Sequence, residues 1–332
     1  MSTISWNCRG LGTPWAVQFL KEIVLQKKPN FIFLCEILCK KDKVESIRNL
    51  LGFEGMVTVE SQGHSGGVAF LWRNKEEASL RSLSKNHIDL DITIQGWQRF
   101  RLTGLYGEPD RAKHKETWQL IRNLSTTSSL PWVLIGDMNN VLSQTDKKGG
   151  RMYPSWLIQG FKEVLEDCNL VDMELIGYPY TWERGHDTDD WVEIRLDRAV
   201  ASTSFLQQFQ EAKLTNMEVT TSDHCPLLLE PMVTIKSGTF TKRFRFENAW
   251  LREPMCKSIV EDIWNNSTGK SWQEKIIACS NNLAVWGKEI TGSFRDRIQN
   301  CKKVIKIVRG RRDEASIKLY QEECTKLSEI YV

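Results

Sequence analysis

No apolar run in the 332-residue sequence approaches the length of a membrane-spanning helix. The first residues, MSTISWNCRG, lack the basic-then-apolar order of a secretory signal. Nine cysteines are present, an odd number, and none forms a Cys-x-x-Cys pair. Cys35 and Cys39 are the only close ones, at the wrong distance for a common zinc knuckle. Structural zinc, a disulfide framework and a membrane span are therefore not expected. Reduced thiols place the chain in the nucleus or cytoplasm, not outside the cell. There is no internal repeat and no low-complexity tract.

What is present is an ordinary globular composition, 41% hydrophobic and 26% charged, enough for one large domain or two ordinary ones. The net charge of +3 hides an asymmetry. Residues 1–230 hold 26 Lys/Arg and 30 Asp/Glu, a net of −4, whereas 231–332 hold 19 and 12, a net of +7. A folded acidic part followed by a segment that prefers polyanions is the reading.

The most informative stretch is WVLIGDMNN, Trp132 to Asn140. A continuous apolar run after Pro131 and before a glycine predicts a buried strand. Asp137 and Asn139, two residues apart, project from its end on one side. A polar pair at the mouth of an apolar sheet is costly to bury without partners or a function, although Asp and Asn also form plain turns. The rest of the first 230 residues repeats the arrangement. TISWNC predicts a first strand with Asn7 at its end. WAVQFLKEIVLQK predicts an amphipathic helix stopped by Pro29, and FIFLC a second strand followed by Glu36. Strands are expected at 68–72, 88–94, 99–106, 178–184, 192–202 and 225–229, and helices at 43–51, 113–124 and 155–167. β-α-β order followed by hairpins implies an α/β layered domain with a large antiparallel component.

Asn7, Glu36, Tyr106, Asp137, Asn139, Asp197, Asp223 and His224 all fall at strand ends or strand-loop junctions. Gathered on one side they would make a cluster of carboxylates, amides, a phenol and one imidazole. Such a hard-oxygen set suits Mg²⁺, or Mn²⁺, rather than zinc. With a His and an Asn it suits attack of water on a phosphodiester. Thr181 is open between a DNA contact and ordinary strand preference. His64, His87, His114 and His186 are expected at the surface, and Trp72 in the core.

WNCRG, FLCE, SGGVAFLW, LYGEP, LIGDMNN, YTWER, RLDRA and SDHCPL, in that order over residues 2–231, resemble the endonuclease/exonuclease/phosphatase superfamily. SWNCRGLG, RLDRA and SDHCPL resemble its branch in plant non-LTR (LINE-type) retrotransposon proteins. The resemblance implies a four-layered sandwich of two mixed β-sheets flanked by helices. It implies that Glu36 binds the divalent metal with Asn7 beside it, and that Asp223 is the acidic residue next to that site. Asp137 would orient or deprotonate the attacking water, Asn139 and Tyr106 would contact the phosphate, His224 the scissile phosphate, and Asp197 would pair with His224. The implied reaction is Mg²⁺-dependent nicking of duplex DNA, leaving a 3′-hydroxyl and a 5′-phosphate. A stand-alone phosphoesterase acting on abasic DNA or small phosphoesters, and an inactive retrotransposon relic, are the other readings. One departure is Ile37, where relatives carry Thr or Ser after the metal-binding glutamate; it is expected to loosen the surroundings of that ligand. Arg9, Lys147, Lys148, Arg151, Arg184, Arg195 and Arg198 are expected to form a local basic rim.

Residues 232–252 are polar and basic and read as a linker. Residues 253–332 read as a mostly helical, basic extension, with helices over 253–265 and 271–331. Leu283, Trp286, Ile290, Phe294, Ile298, Cys301, Ile305 and Val308 form an apolar stripe whose spacing suits a coiled coil. From Arg295 to Arg312 eight Lys/Arg stand against one acid, Asp296. That face is either solvated or a contact for nucleic acid or protein. In LINE-type proteins a reverse transcriptase follows such a linker. No Tyr-x-Asp-Asp motif precedes Val332, so an endonuclease-plus-linker fragment is expected, with the stripe left as an exposed interface.

Overall fold

The computed structural model describes residues 1–61, 66–217, 222–231, 246, 250–251, 253–267, 269 and 271–331, without the side chains of 288–295 and 331. Its contacts divide the chain into two compact units, Met1–Thr234 and Ile235–Val332. Most of the expected linker 232–252 lies outside the described residues, as do His64 and the side chains of Ile290, Phe294 and Arg295.

The first unit is built on two mixed sheets. One contains β1 (Thr3–Asn7), β2 (Phe31–Cys35), β3 (Gly55–Val59), β4 (Val68–Trp72), β11 (Leu175–Ile176), β15 (Lys213–Asn216) and β16 (Leu227–Glu230), in the order β11-β15-β16-β1-β2-β4-β3. The other contains β5 (Ala78–Ser84), β6 (His87–Ile92), β7 (Phe100–Tyr106), β8 (Trp132–Asp137), β10 (Leu170–Asp172) and β14 (Asp197–Ser202), in the order β10-β14-β8-β7-β6-β5. A small third sheet joins β9 (Lys147–Lys148), β12 (Trp182–Arg184) and β13 (Val192–Ile194).

Side-chain alternation assigns each strand two jobs. Phe31, Phe33 and Cys35 of β2 face the second sheet, meeting Leu102, Val133, Ile135 and Ala199 in the central core. Ile32 and Leu34 point outward onto α1 (Pro14–Lys27) and α2 (Lys41–Leu51). On the far side Leu105, Leu134 and Val200 pack under α3 (His114–Ser125) and α4 (Ser155–Asp167). The result is helix, sheet, sheet, helix. A short α5 (Thr203–Gln208) follows β14. The sheets approach closely where Gly104 faces Phe33: a Cβ there would lie 2.1 Å from the ring.

Several expected boundaries shift for identifiable reasons. The strand expected over 192–202 is two, β13 and β14, because Leu196 N and Asp197 N donate to Thr181 Oγ1 at 3.0 and 2.9 Å instead of continuing one ladder. Only 182–184 of the expected 178–184 strand is extended in a sheet. The last strand begins at Leu227, after Pro226, which has no N–H to donate. β5 escapes sequence reading because it is a half-exposed edge strand with few apolar residues. His87 and His114 are buried, not at the surface. His87 sits between the hydroxyls of Ser82 and Ser84, and His114 packs edge-on against Trp118. Trp72 is in the core as expected.

In the second unit α6 (Pro254–Asn266) packs on α7 (Trp272–Val308), which packs on α8 (Glu314–Tyr331). The expected helix over 271–331 breaks at Gly310, in a left-handed conformation at φ 74°. Leu283 is buried with Trp250 and Cys256, and Cys301 and Ile305 with Leu327. The stripe on α7 is thus covered in part by its own unit, which corrects the expectation of an exposed seam. None of the helices among the described residues is long and apolar enough to cross a membrane.

Candidate active site

The inward-facing alternation of the core strands runs on into polar residues at one end. On β1 the inward positions are Thr3, Ser5 and Asn7. On β7 Phe100, Leu102 and Gly104 lead to Tyr106, and on β8 Val133 and Ile135 lead to Asp137. β14 starts at Asp197, whose Cα partner on β8 is Asp137. Apolar side chains thus position the polar ones by register alone. Gly136 makes the step into Asp137: at φ +154°, a Cβ would lie 1.9 Å from the Leu105 carbonyl oxygen.

Asn7 stands at the centre. Its Nδ2 donates to Glu36 Oε1 and to Asp137 Oδ2, both at 3.0 Å, and lies 3.5 Å from His224 Nε2. Glu36, just past β2 and in a left-handed conformation at φ 50°, also accepts from Tyr106 OH at 2.9 Å. On the other flank His224 Nδ1 bonds to Asp197 Oδ2 at 2.9 Å, and its Nε2 lies 3.8 Å from Asp137 Oδ2. Six of the eight expected residues therefore form one connected group. Asn139 is oriented away from it: Nδ2 donates to the Gly107 carbonyl at 2.9 Å, while its backbone N–H caps Asp137 Oδ1 at 3.0 Å. It still lines the open cleft of about 570 Å³ above the group, with Glu36, His224 and Asp223. Asp223 is held at the cleft wall by Trp182 Nε1 at 2.8 Å and by Arg9.

The loop bearing His224 is anchored from several directions. Trp6 Nε1 donates to the His224 carbonyl at 3.2 Å. Ser222 Oγ donates to the Asn7 carbonyl at 3.0 Å and accepts from His224 N at 3.1 Å. Cys225 N donates to the Thr181 carbonyl at 2.7 Å. Thr181 is fully buried, its hydroxyl accepting from the backbone of Leu196 and Asp197. It sets where Asp197 begins and has no exposed surface, a role that residue type alone does not reveal.

Charge follows from burial and pairing. Burial raises the Asp137 carboxyl to about 7, against the lowering effect of His224. Burial also works against a cationic His224, but Asp197, and then Asp137, outweigh it and raise the ring to about 10. Burial and the neighbouring carboxylates hold the Tyr106 phenol well above its ordinary range, so it stays a donor. The arrangement is a proton-bearing imidazole oriented by one carboxylate, next to a second carboxylate able to take a proton near neutral pH.

Among the described residues, two places at the site could hold a cation. Asp137, Asp197 and His224 offer ligand atoms within 4.8 Å of one another. An ion there would compete with the hydrogen bond between His224 Nδ1 and Asp197 Oδ2. Glu36 fits better: it faces the cleft, only partly buried, with neutral neighbours in Tyr106 and Asn7. Mg²⁺ commonly takes one or two carboxylates and keeps its waters. Asn7 would offer its oxygen only after a half-turn of the amide, since Oδ1 now accepts from Arg9 N at 3.2 Å. Ile37 is fully buried, and the Glu36 side chain is steadied by Tyr106 and Asn7.

The basic rim is smaller than expected. Arg198 is buried between Asp146 and Asp172, and Arg195 pairs with Asp172. Lys147 donates to the carbonyls of Gly149 and Arg151, and Lys148 pairs with Glu193. Arg9 and Arg184 do line the cleft. So does Arg111, missed in the sequence, with its guanidinium 4.7 Å from the centroid of the Tyr153 ring.

Solved structures with this fold span many activities. The endonuclease domain of TRAS1, a telomere-specific non-LTR retrotransposon, aligns with a TM-score of 0.52 at 15% identity over 71% of this chain and 99% of that one. The 3′ phosphatase NExo from Neisseria, bound to product DNA hairpin, gives 0.53 at 18% over 69% and 98%. An AP endonuclease from Archaeoglobus fulgidus gives 0.54 at 17% over 69% and 98%. At these identities the likeness establishes the fold. No curated protein matches the sequence. The family model for the endonuclease/exonuclease/phosphatase family matches residues 4–224, from β1 through His224. The chain belongs to that family, whose members are divalent-metal-dependent phosphoester hydrolases.

Proposed function

We propose that residues 1–231 form a Mg²⁺-dependent DNA endonuclease of the LINE type that nicks duplex DNA by hydrolysis, leaving a 3′-hydroxyl and a 5′-phosphate. The observation that carries the reading is the continuous link from Glu36 through Asn7 to Asp137 and on to the His224–Asp197 pair. In this reading Glu36, with Asn7 after its half-turn, holds Mg²⁺, with Mn²⁺ as a substitute. The ion supplies positive charge to a phosphate oxygen as negative charge builds there.

The side chains account for the rest. Asp197 fixes the imidazole tautomer, and with Asp137 it keeps His224 protonated, so Nε2–H can donate to a nonbridging oxygen of the scissile phosphate. Asp137, raised to about 7, holds a water and takes its proton during attack. Tyr106 and Asn139 contact the phosphate; for Asn139 this requires exchanging its bond to Gly107 for one to the ligand. The 570 Å³ cleft admits a strand backbone, and Arg9, Arg111 and Arg184 on its wall supply counter-charge. DNA as substrate is also supported by the DNA hairpin bound to the Neisseria relative of the same fold. Residues 232–252 act as a linker, and 253–332 as a helical, basic extension that contacts nucleic acid or protein.

Supercoiled plasmid with Mg²⁺ tests the reading. The wild-type chain should convert it to nicked circles, and Asp137→Ala should lose this by roughly 10²-fold or more. Cleavage restricted to an abasic oligonucleotide or to small phosphoesters would instead identify a stand-alone phosphoesterase. No cleavage by folded, metal-loaded protein would identify an inactive relic.

A further inference from the structure

Arg9 and Asp223 both stand at the cleft, with their side chains outside the hydrogen-bonded group that runs from Glu36 to Asp197. They are 214 positions apart in the chain, and Arg9 Nη1 donates to Asp223 Oδ2. The same oxygen accepts from Trp182 Nε1 at 2.8 Å, while Oδ1 is buried and has no hydrogen-bond partner among the described residues. Arg9 is not a loosely placed surface cation. Its backbone is left-handed at φ 45°, and its N–H donates to Asn7 Oδ1 at 3.2 Å. The next residue, Gly10, donates to the Glu36 carbonyl at 2.7 Å. The backbone at Arg9 is thus tied to Asn7 and, through Gly10, to Glu36, while the side chain is tied to Asp223. With 63% of the side chain exposed and one carboxylate partner among the described residues, the guanidinium keeps donors to spare at the cleft.

A divalent ion at Asp223 would need that carboxylate bare. Here it faces the Arg9 guanidinium. Two cations competing for one carboxylate repel each other, and at such short range salt screens the repulsion poorly. We propose that Arg9 takes the place of a second metal ion: it neutralises Asp223, turns its remaining N–H groups toward a phosphate oxygen, and leaves the cleft with one divalent-ion site, at Glu36. This rests on the reading of Glu36 as metal ligand. In this proposal Asp223 pairs with Arg9, whereas the resemblance implies that it serves the metal.

The test counts ions without any reaction. Full-length protein is titrated with Mn²⁺, and bound ion is measured from the loss of the free-ion electron paramagnetic resonance signal, with circular dichroism as a check on folding. The wild-type chain should bind one Mn²⁺. Arg9→Gln, which bares Asp223, should bind two, and Arg9→Lys, which keeps the charge, should bind one. The double variant Arg9→Gln/Asp223→Asn should return to one. Two ions in the wild type, or one in folded Arg9→Gln, overturns the proposal. Glu36→Gln separates the underlying reading: loss of the single wild-type ion supports both, whereas its retention sinks the assignment of Glu36 and with it the one-site proposal.

Discussion

At the residue scale the decisive quantity is the charge on His224. Its ring is buried, and an isolated buried imidazole is neutral; Asp197 and Asp137 reverse that. Asp197→Asn keeps the shape and removes the charge. It should lower the His224 pKa and slow nicking by roughly 10²-fold. Proton NMR of the imidazole resonances reads the first effect, and an unchanged His224 titration would refute the pairing. The shift also predicts a pH dependence of stability. The folded ring titrates at about 10 against an ordinary 6.5, so the folded chain retains a proton that the unfolded chain releases between those values. The stabilisation is complete below about pH 6.5 and disappears as pH rises toward 10. Urea unfolding of the metal-free wild type should show lower stability at about pH 9 than at about pH 6. Equal stability at the two values would exclude the shift.

At the element scale, the site depends on where β14 begins. Thr181 ends the preceding loop and takes two backbone N–H groups with one hydroxyl. Val is close in shape but cannot accept. Thr181→Val should destabilise the first unit by about 1–3 kcal/mol, the penalty for buried unpaired donors, and should displace Asp197 from His224. Thr181→Ser should recover most of both losses in denaturant midpoints and nicking rates. The spacing of the sheets is equally specific. Gly104→Ala would push a methyl into the Phe33 ring, and overpacking of this kind costs roughly 1–3 kcal/mol. A midpoint within error of wild type would mean that the sheets can part without strain. The site's strands were readable because apolar runs ended abruptly in polar residues, as in VLIGD and FRLTGLY. The interruption at 195–196 was not, because Thr181 imposes it from another part of the chain.

At the scale of the whole molecule, the two units differ in charge, and the acidic one carries the candidate site. A chain ending at residue 234 should keep its fold, since the unit Met1–Thr234 contains both large sheets and their helices. If the basic helices bind DNA, nicking by full-length protein should fall more steeply with salt than nicking by the shorter chain. The difference should be about one unit of log–log slope for each phosphate those helices neutralise. Parallel slopes would assign the helices elsewhere. Their apolar residues were legible as a stripe, but not their partners: Leu283 meets Trp250 and Cys256, while Ile305 meets Leu327.

By itself the sequence determined the layered α/β class, most of the large strands, and the polar residues at their ends. Those features rest on alternation and on chain-local contrasts of polarity, which survive in one dimension. Only the tertiary structure decided which charges face the cleft and which are spent on one another. Arg195 and Arg198 looked like rim residues and are bound to Asp172, while Arg9 reaches across 214 positions to Asp223. Pairing of charges depends on distance in space, and the fold brings together groups that no spacing along the chain relates.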